Sequence, residues 1–508
     1  MLLKKHIMKD VFKRGHVLKR NLWSSTAFIF LFLTACSNPT VEESRLRLDE
    51  LIENGIDSEE RTKIEERFNR TNGRDKNAID ILANYADDTA PDGKRSDLDT
   101  LLNRSLSRNS DIARAAQRLD RSDAKRLNAI YGYLPQVTLT VNSNKIKQEV
   151  IQSDNDVFEE GIANYGSEDI TFEVSQPIID MSRIFGIRIA KTVRTNAEVD
   201  YIATVQAVMY DVFDTYIQAL QADNAVNSLR RRESLLNQQA QAERDRTSEG
   251  LTRQNALRGI EIERSDLGIQ ASRSELERAR LLSKLSLMTG SKVAGVSRTA
   301  IPTGVAGTER RISVEQATEQ AMERNPIVLR SLISVTEAEL RNKQARAVDF
   351  SPVLVAFARI VDEDREDSRF GGGSVTSDTI TGVRLVVPIF NARGEGYQNI
   401  ETRVDFKDAL IQYLNQRRQV ETDIAATHQR MRNLAAASGR AQSAVRSNQA
   451  LVNQELSLQE AGDSQAYLVA ALQSRALGAQ AQSAELQLEY IRAWARFAYL
   501  TGQNIGKR

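Results

Sequence analysis

The chain has 508 residues and is almost neutral, with 69 lysines and arginines against 68 aspartates and glutamates. No basic stripe interrupts this balance, which argues against a nucleic-acid partner. Hydrophobic residues make up 41% of the chain and prolines number only 8, a composition typical of long helices rather than of a compact enzyme.

The first 35 residues have the order of a secretory signal peptide. Basic residues precede an apolar run from Ala27 to Leu33, and such a segment is removed rather than folded. The run ends in Leu33-Thr34-Ala35-Cys36, which resembles the lipobox of bacterial lipoproteins, in which the cysteine receives lipid. Cys36 is the only cysteine, so an internal disulfide is excluded. We expect Cys36 to carry palmitate; the alternative is an inert thiol after an ordinary signal peptide.

Residues 36–96 form a polar N-terminal segment in which charges of both signs are interleaved. Three interpretations stay open: a tether between the lipid anchor and the folded body, a segment that wraps that body, or a partly disordered linker. No stretch of about 20 apolar residues is present in the chain, so no helix is expected to span a bilayer. If the chain crosses a membrane, β-strands must therefore form the membrane-spanning part.

Strands are predicted wherever the apolar period changes from about 3.6 to 2 residues. Four segments show this alternation: Val137, Leu139 and Val141; Ile170, Phe172 and Val174; Val353, Val355 and Phe357; Val383, Leu385 and Val387. The pattern suits a transmembrane barrel and a soluble sheet equally well. Acidic, glycine-rich stretches at 153–167 and 362–377 are predicted to be surface loops.

Long helices are predicted over residues 189–249 and 398–460, and each would reach about 90 Å at 1.5 Å per residue. Apolar seams run along the first of them and along the last helix at three- and four-residue steps. The members are Ile202, Val205, Met209, Val212, Tyr216 and Leu220, and then Leu477, Ala481, Ala484, Leu488, Ile491, Ala495 and Ala498. Rods of this length predict helical tubes or sheets, with a plain coiled coil as the alternative.

Two copies of a helix-strand-strand-helix pattern divide the chain into residues 97–300 and 301–508. Matching residues recur 211 to 217 positions apart: Asn109 with Asn325, Pro135 with Pro352, Pro177 with Pro388, Gly250 with Gly462, and Thr289-Gly290 with Thr501-Gly502. A duplication explains these offsets. The four resulting strands cannot close a barrel alone, so their edges must be covered or pooled between subunits.

These residues resemble the TolC-like outer-membrane efflux proteins over nearly the whole span from Leu98 to Gly502. The motifs that carry the resemblance are Gly132-Tyr-Leu-Pro135, Ser175-Gln-Pro-Ile178, Asn325-Pro326, Val387-Pro-Ile-Phe390, Glu249-Gly-Leu251, Ala461-Gly-Asp463 and the two Thr-Gly pairs. The resemblance implies a mainly α fold with a β-barrel part. Three copies would form a twelve-stranded outer-membrane β-barrel that continues into a periplasmic α-helical barrel.

The resemblance also implies a function and its partners. The implied function is that of an outer-membrane channel in a tripartite efflux or type I secretion system. The implied partners are a periplasmic adaptor protein and an inner-membrane transporter, to which the channel docks. Adaptor docking and the constriction would lie at the helix turns, at Glu249, Gly250, Leu251, Arg253, Gly462 and Asp463. Ala256 and Leu468 stand where the family commonly has acidic residues, which argues against the usual carboxylate ring.

Two other classes of function remain as contrasts. The sequence has no phosphate-binding loop, no pair of cysteines that could bind zinc and no Gly-x-Ser-x-Gly nucleophile motif. No cofactor, metal or enzymatic activity is therefore predicted. His428, the one histidine outside the signal peptide, is interpreted as a solvated helical residue. A lipid-anchored periplasmic coiled-coil scaffold would retain the helices but leaves the strands without a role.

Overall fold

The computed structural model describes residues 95–152, 161–249, 254–297, 305, 307–367, 372–389, 395–461 and 465–503. The first half contains α1 (Leu98–Arg108), α2 (Ser110–Tyr131), β1 (Gln136–Val150), β2 (Gly161–Asp180), α3 (Met181–Ser248) and α4 (Gln254–Thr289). The second half contains α5 (Thr308–Arg311), α6 (Val314–Arg324), α7 (Pro326–Phe350), β3 (Val353–Arg365), β4 (Ser374–Val386), α8 (Glu395–Glu460) and α9 (Ala466–Leu500). The duplicated helix-strand-strand-helix unit is confirmed.

The helices begin at side chains that satisfy free backbone amides. Asp97 caps α1, and Asn109 and Asn325 cap α2 and α7 in the same way. Ser313 and Gln316 form a reciprocal capping box at α6. These caps locate the helix starts at matching places in both halves.

The four strands form one antiparallel sheet in the order β1-β2-β3-β4, which leaves β1 and β4 as its edges. The register between β2 and β3 shifts at Pro177–Ile179, a bulge that accommodates a residue without an amide hydrogen. The strands are longer than the alternation predicts. Residues 161–167, 362–365 and 374–377 are strand rather than loop, because ladder pairing continues beyond the residues that alternate strictly.

The helices pack side by side in a layer whose order depends on the distance from the sheet. Near the sheet the order is α2–α3–α7–α8, and farther away it is α4–α3–α9–α8. The first predicted seam is buried from Val205 to Leu220 and the second from Leu488 to Ala498, whereas Ile202, Leu477, Ala481 and Ala484 are half-buried. The largest fully buried side chains are Leu101, Phe213, Tyr216, Leu285 and Phe497. This core also holds α1 and α6 against the layer.

Candidate channel surfaces and helix tips

The sheet has two chemically different faces, which the strand register defines. Leu139 pairs with Phe172, and Phe172 pairs with Ile360, so these three side chains share one face. Thr140 and Thr171 pair on the other face. We call them the Leu139 face and the Thr140 face.

The part of the Leu139 face nearest the helices is apolar and uncovered in the single chain, whereas its far part carries charged residues such as Lys145 and Glu168. Its apolar members are Val137, Leu139, Val141, Ile170, Phe172, Val174, Leu354, Ala356, Ala358, Ile360, Val383 and Leu385. Leu139 is 66% exposed and Val383 is 71% exposed. A continuous apolar surface of this kind requires a partner, lipid or another protein surface, to cover it.

Val355 and Phe357 lie on the Thr140 face, contrary to the sequence interpretation that grouped them with the other apolar alternations. Val355 pairs with Arg384, whose guanidinium lies 5.1 Å from the centre of the Phe357 ring. Both faces of β3 carry apolar residues, since Leu354 and Ile360 occupy the opposite face. The alternation of residues within β3 therefore could not show which of its side chains lie on the Leu139 face.

The predicted tip residues are described only in part. Glu249 ends α3 with an exposed side chain, and its backbone N–H donates to the carbonyl of Asp245 at 3.2 Å. Gly250, Leu251, Arg253, Gly462 and Asp463 lie outside the described residues, as does Cys36. In the described flanks, Ala256 and Leu468 are exposed.

A residue that the sequence analysis missed joins the two helical hairpins beside these tips. Arg246 on α3 donates a hydrogen bond to Gln465, and its guanidinium lies 4.7 Å from the ring of Tyr467 on α9. Glu243, which is buried, lies 3.9 Å from the Arg246 Nε. No motif marks Arg246, because its partners come from the other half of the chain.

Closer to the sheet than Arg246, α3 and α9 share an aromatic and ionic cluster. The rings of Tyr210 and Tyr499 stack 5.1 Å apart, and the Arg496 guanidinium lies over both. Burial raises the pKa of both tyrosine hydroxyls above the ordinary value. Arg492 pairs with Asp214 at 2.7 Å in the same region, so the two halves are joined by charged contacts as well as by the core.

An open cleft of about 310 Å³ lies between α3, α4 and α9. Three of the residues that line it, Ala222, Leu281 and Leu488, belong to the buried core. Its polar lining consists of Gln218, Gln221, Asn224, Ser274, Glu277, Glu485 and Arg492. The cleft wall therefore combines these polar side chains with apolar residues, among them the three core residues.

His428 is buried, and its interpretation as a solvated residue was wrong. It is 8% exposed, its Nε2–H donates to the carbonyl of Ile312 at 3.1 Å, and its ring lies 6.1 Å from that of Phe497. The imidazole thus links α8 to the segment before α6. Within the ranges described above, no group of three His, Cys, Asp or Glu residues is placed to hold a metal ion.

None of the helices in the described part of the chain is long and apolar enough to cross a membrane.

Comparison with known proteins gives one match by sequence and several by fold. The profile of the family named Outer membrane efflux protein matches residues 101–290. A search of curated proteins finds no significant match.

Solved structures with the same fold share little sequence with this chain. The outer membrane protein VceC of Vibrio cholerae has a TM-score of 0.66 at 14% identity, covering 80% of this chain and 96% of VceC. The CmeC outer membrane channel of Campylobacter jejuni has a TM-score of 0.64 at 16% identity, covering 81% and 87%.

The open state of the MtrE outer membrane channel of Neisseria gonorrhoeae has a TM-score of 0.61 at 14% identity, covering 83% of this chain and 95% of MtrE. The shared features are the small antiparallel sheet and the long helical layer. Residues 101–290 thus match the outer membrane efflux protein family by sequence, and both halves of the chain share the fold of the TolC-like outer-membrane channels.

Proposed function

We propose that three copies of the chain form the outer-membrane channel of a tripartite efflux or type I secretion system. The observation that carries this proposal is the sheet, which has two free edges and one uncovered apolar face. Four strands from each of three copies make twelve, an even number that closes an antiparallel barrel. Closure removes the edges, and lipid then covers the Leu139 face.

The helices continue the barrel as a periplasmic tunnel. α3 has 68 residues and spans about 100 Å. Substrate enters at the tips, near Glu249 and Gly462, from an inner-membrane transporter and a periplasmic adaptor that docks on the same turns. Transport energy comes from that transporter, since the sequence carries no phosphate-binding motif.

The N-terminal residues supply the anchor. Residues 1–35 are a signal peptide, lipid on Cys36 anchors the mature chain in the outer membrane, and residues 36–96 link the anchor to the two repeats. The barrel inserts through its own apolar belt, so the lipid adds to membrane attachment without forming the channel.

Trimer formation and conductance test the proposal together. We expect the full chain in outer-membrane fractions to migrate as a trimer that resists sodium dodecyl sulfate until heated, and to conduct ions in planar bilayers. A periplasmic scaffold would give neither result. Pull-down of an adaptor encoded beside the gene, compared with an unrelated adaptor, tests the docking role.

A further inference from the structure

The helical layer has two uncovered edge helices. We define the height of a residue as its distance from the sheet along the helix axis, and it can be compared between the two edges. Near the sheet these edges are α2 and α8, because the order there is α2–α3–α7–α8. A rotation about the axis of a closed ring keeps every residue at its own height. In the proposed trimer, α2 of one copy therefore meets α8 of the next at the heights that each has within one chain.

Charged contacts across the layer establish these heights. Asp200 on α3 binds Arg118 of α2 at 3.0 Å and Arg330 of α7 at 2.6 Å, so all three lie at one level. Asn399 of α8 is hydrogen-bonded to Asp349 of α7. Arg330 lies 19 residues farther from the sheet than Asp349 on α7. Arg418 likewise lies 19 residues farther from the sheet than Asn399 on α8. Arg418 is therefore level with Arg118.

The α8 edge is apolar with exposed charges beside it. Ile400, Val404 and Ile411 recur at steps of four and seven residues, and they are 50%, 55% and 56% exposed. Arg418 follows Ile411 by seven residues and is also exposed. Among the described residues, its guanidinium has no carboxylate partner within its own chain.

The α2 edge presents matching features. Asp120, two residues from Arg118, has no ion-pair partner in the described part of the chain. Burial and the neighbouring Asp123 raise the pKa of the Asp120 carboxyl above its ordinary value, as expected for a carboxylate that lacks a nearby cation. One turn above Asp120, exposed Ala124 lies about level with Ile411 and leaves room for its side chain. Tyr131, which is 61% exposed, lies about level with Val404.

We propose that the α8 edge of one copy packs on the α2 edge of a second copy, with Arg418 paired to Asp120 and Ile411 seated on Ala124. This inference rests on the proposed trimer and specifies one seam of it. The opposite charges lie within about 3 Å of the same height at 1.5 Å per residue. The apolar stripe of α8 then fills the space above the ion pair, which excludes water from the pair and strengthens it.

Two experiments on the full chain test the seam. In the first, Asp120→Arg and Arg418→Asp are each expected to reduce the yield of trimer by about tenfold, because like charges then face each other at the seam. The double variant Asp120→Arg with Arg418→Asp should recover most of the yield. Absence of recovery, with both single variants impaired, would show that the two residues do not form a pair.

The second experiment measures the register without destabilising the chain. Ala124→Cys combined with Ile411→Cys should give disulfide-linked trimers on non-reducing denaturing gels, whereas Ala124→Cys combined with Ala450→Cys should not. Each single variant controls for Cys36. If native trimers form but the matched pair does not cross-link, the seam is wrong and the trimer stands; if the unmodified chain forms no trimer, the proposed function fails first. Cross-linking of Ile411→Cys to a co-purified adaptor instead would also overturn the seam.

Discussion

Asn325 donates a hydrogen bond from its side-chain Nδ2 to the carbonyl of Leu500 at 2.8 Å, and so joins the start of α7 to the end of α9. Its Oδ1 accepts from the amides of Ile327 and Val328, and Asn325 itself is only 1% exposed. Asn109 makes the same three bonds in the first half, with Met288 as the carbonyl partner at 3.1 Å. The recurrence of asparagine at matching positions thus has a structural cause.

Asn325→Ala is expected to lower the free energy of unfolding by about 2 kcal/mol, because it removes a helix cap and leaves the buried Leu500 carbonyl unpaired. The measurement is the temperature at which the helical circular dichroism signal is lost. Asn103→Ala, on the exposed side of α1, is the matched control and should leave this temperature unchanged. An equal effect of both variants would contradict the tie between α7 and α9.

Gly502→Ala is expected to destabilise the end of the second half. Gly502 has a φ of 70°, and a Cβ there would lie 2.7 Å from the Arg324 carbonyl oxygen. The left-handed backbone alone costs an alanine roughly 1–2 kcal/mol. Gly259→Ala is the opposite case, since nothing lies within 4 Å and α4 gains up to about 1 kcal/mol in helix propensity. Thermal unfolding of both variants should shift in opposite directions.

Arginine substitutions should distinguish the two faces of the sheet. Leu139→Arg and Phe172→Arg are expected to impair assembly by roughly 2–4 kcal/mol each if these residues face the bilayer midplane. Thr140→Arg and Thr171→Arg should be tolerated, because their side chains lie on the Thr140 face. The measurement is the yield of heat-modifiable trimer in the outer membrane. Equal tolerance on both faces would argue against a lipid-facing Leu139 face.

Arg246→Ala is expected to loosen the two hairpins at the tip, because it removes the contacts with Gln465 and Tyr467. Single-channel conductance should rise while the amount of trimer stays the same. Arg244→Ala is a close control: Arg244 pairs with Glu261 at 2.8 Å inside one hairpin, so its loss should not change conductance. A rise with both variants would point to a general loss of helix stability instead.

Cys36→Ser is expected to abolish incorporation of labelled palmitate and to leave unprocessed or released protein, while purified trimers still conduct. In a lipoprotein the lipid attaches to the cysteine thiol, which serine does not supply. Palmitate that still enters the Cys36→Ser variant would show that the lipobox interpretation is wrong.

Much of the fold could be predicted from the sequence because its periods are local properties. The change from a helical to a strand period located all four strands, and the spacing of Val205, Met209 and Tyr216 identified a seam that is buried. The duplicated asparagines and Thr-Gly pairs marked equivalent helix ends. Each of these signals depends on neighbours a few residues away.

Other features were decided only by contacts between distant segments. The side of Val355 depends on the ladder that β3 forms with Arg384 of β4 and on the register shift at Pro177. The burial of His428 depends on a carbonyl 116 residues away, and the tie at Arg246 depends on a helix from the other half. Sequence periodicity determines which side chains share a strand or helix face, but packing alone determines what that face meets.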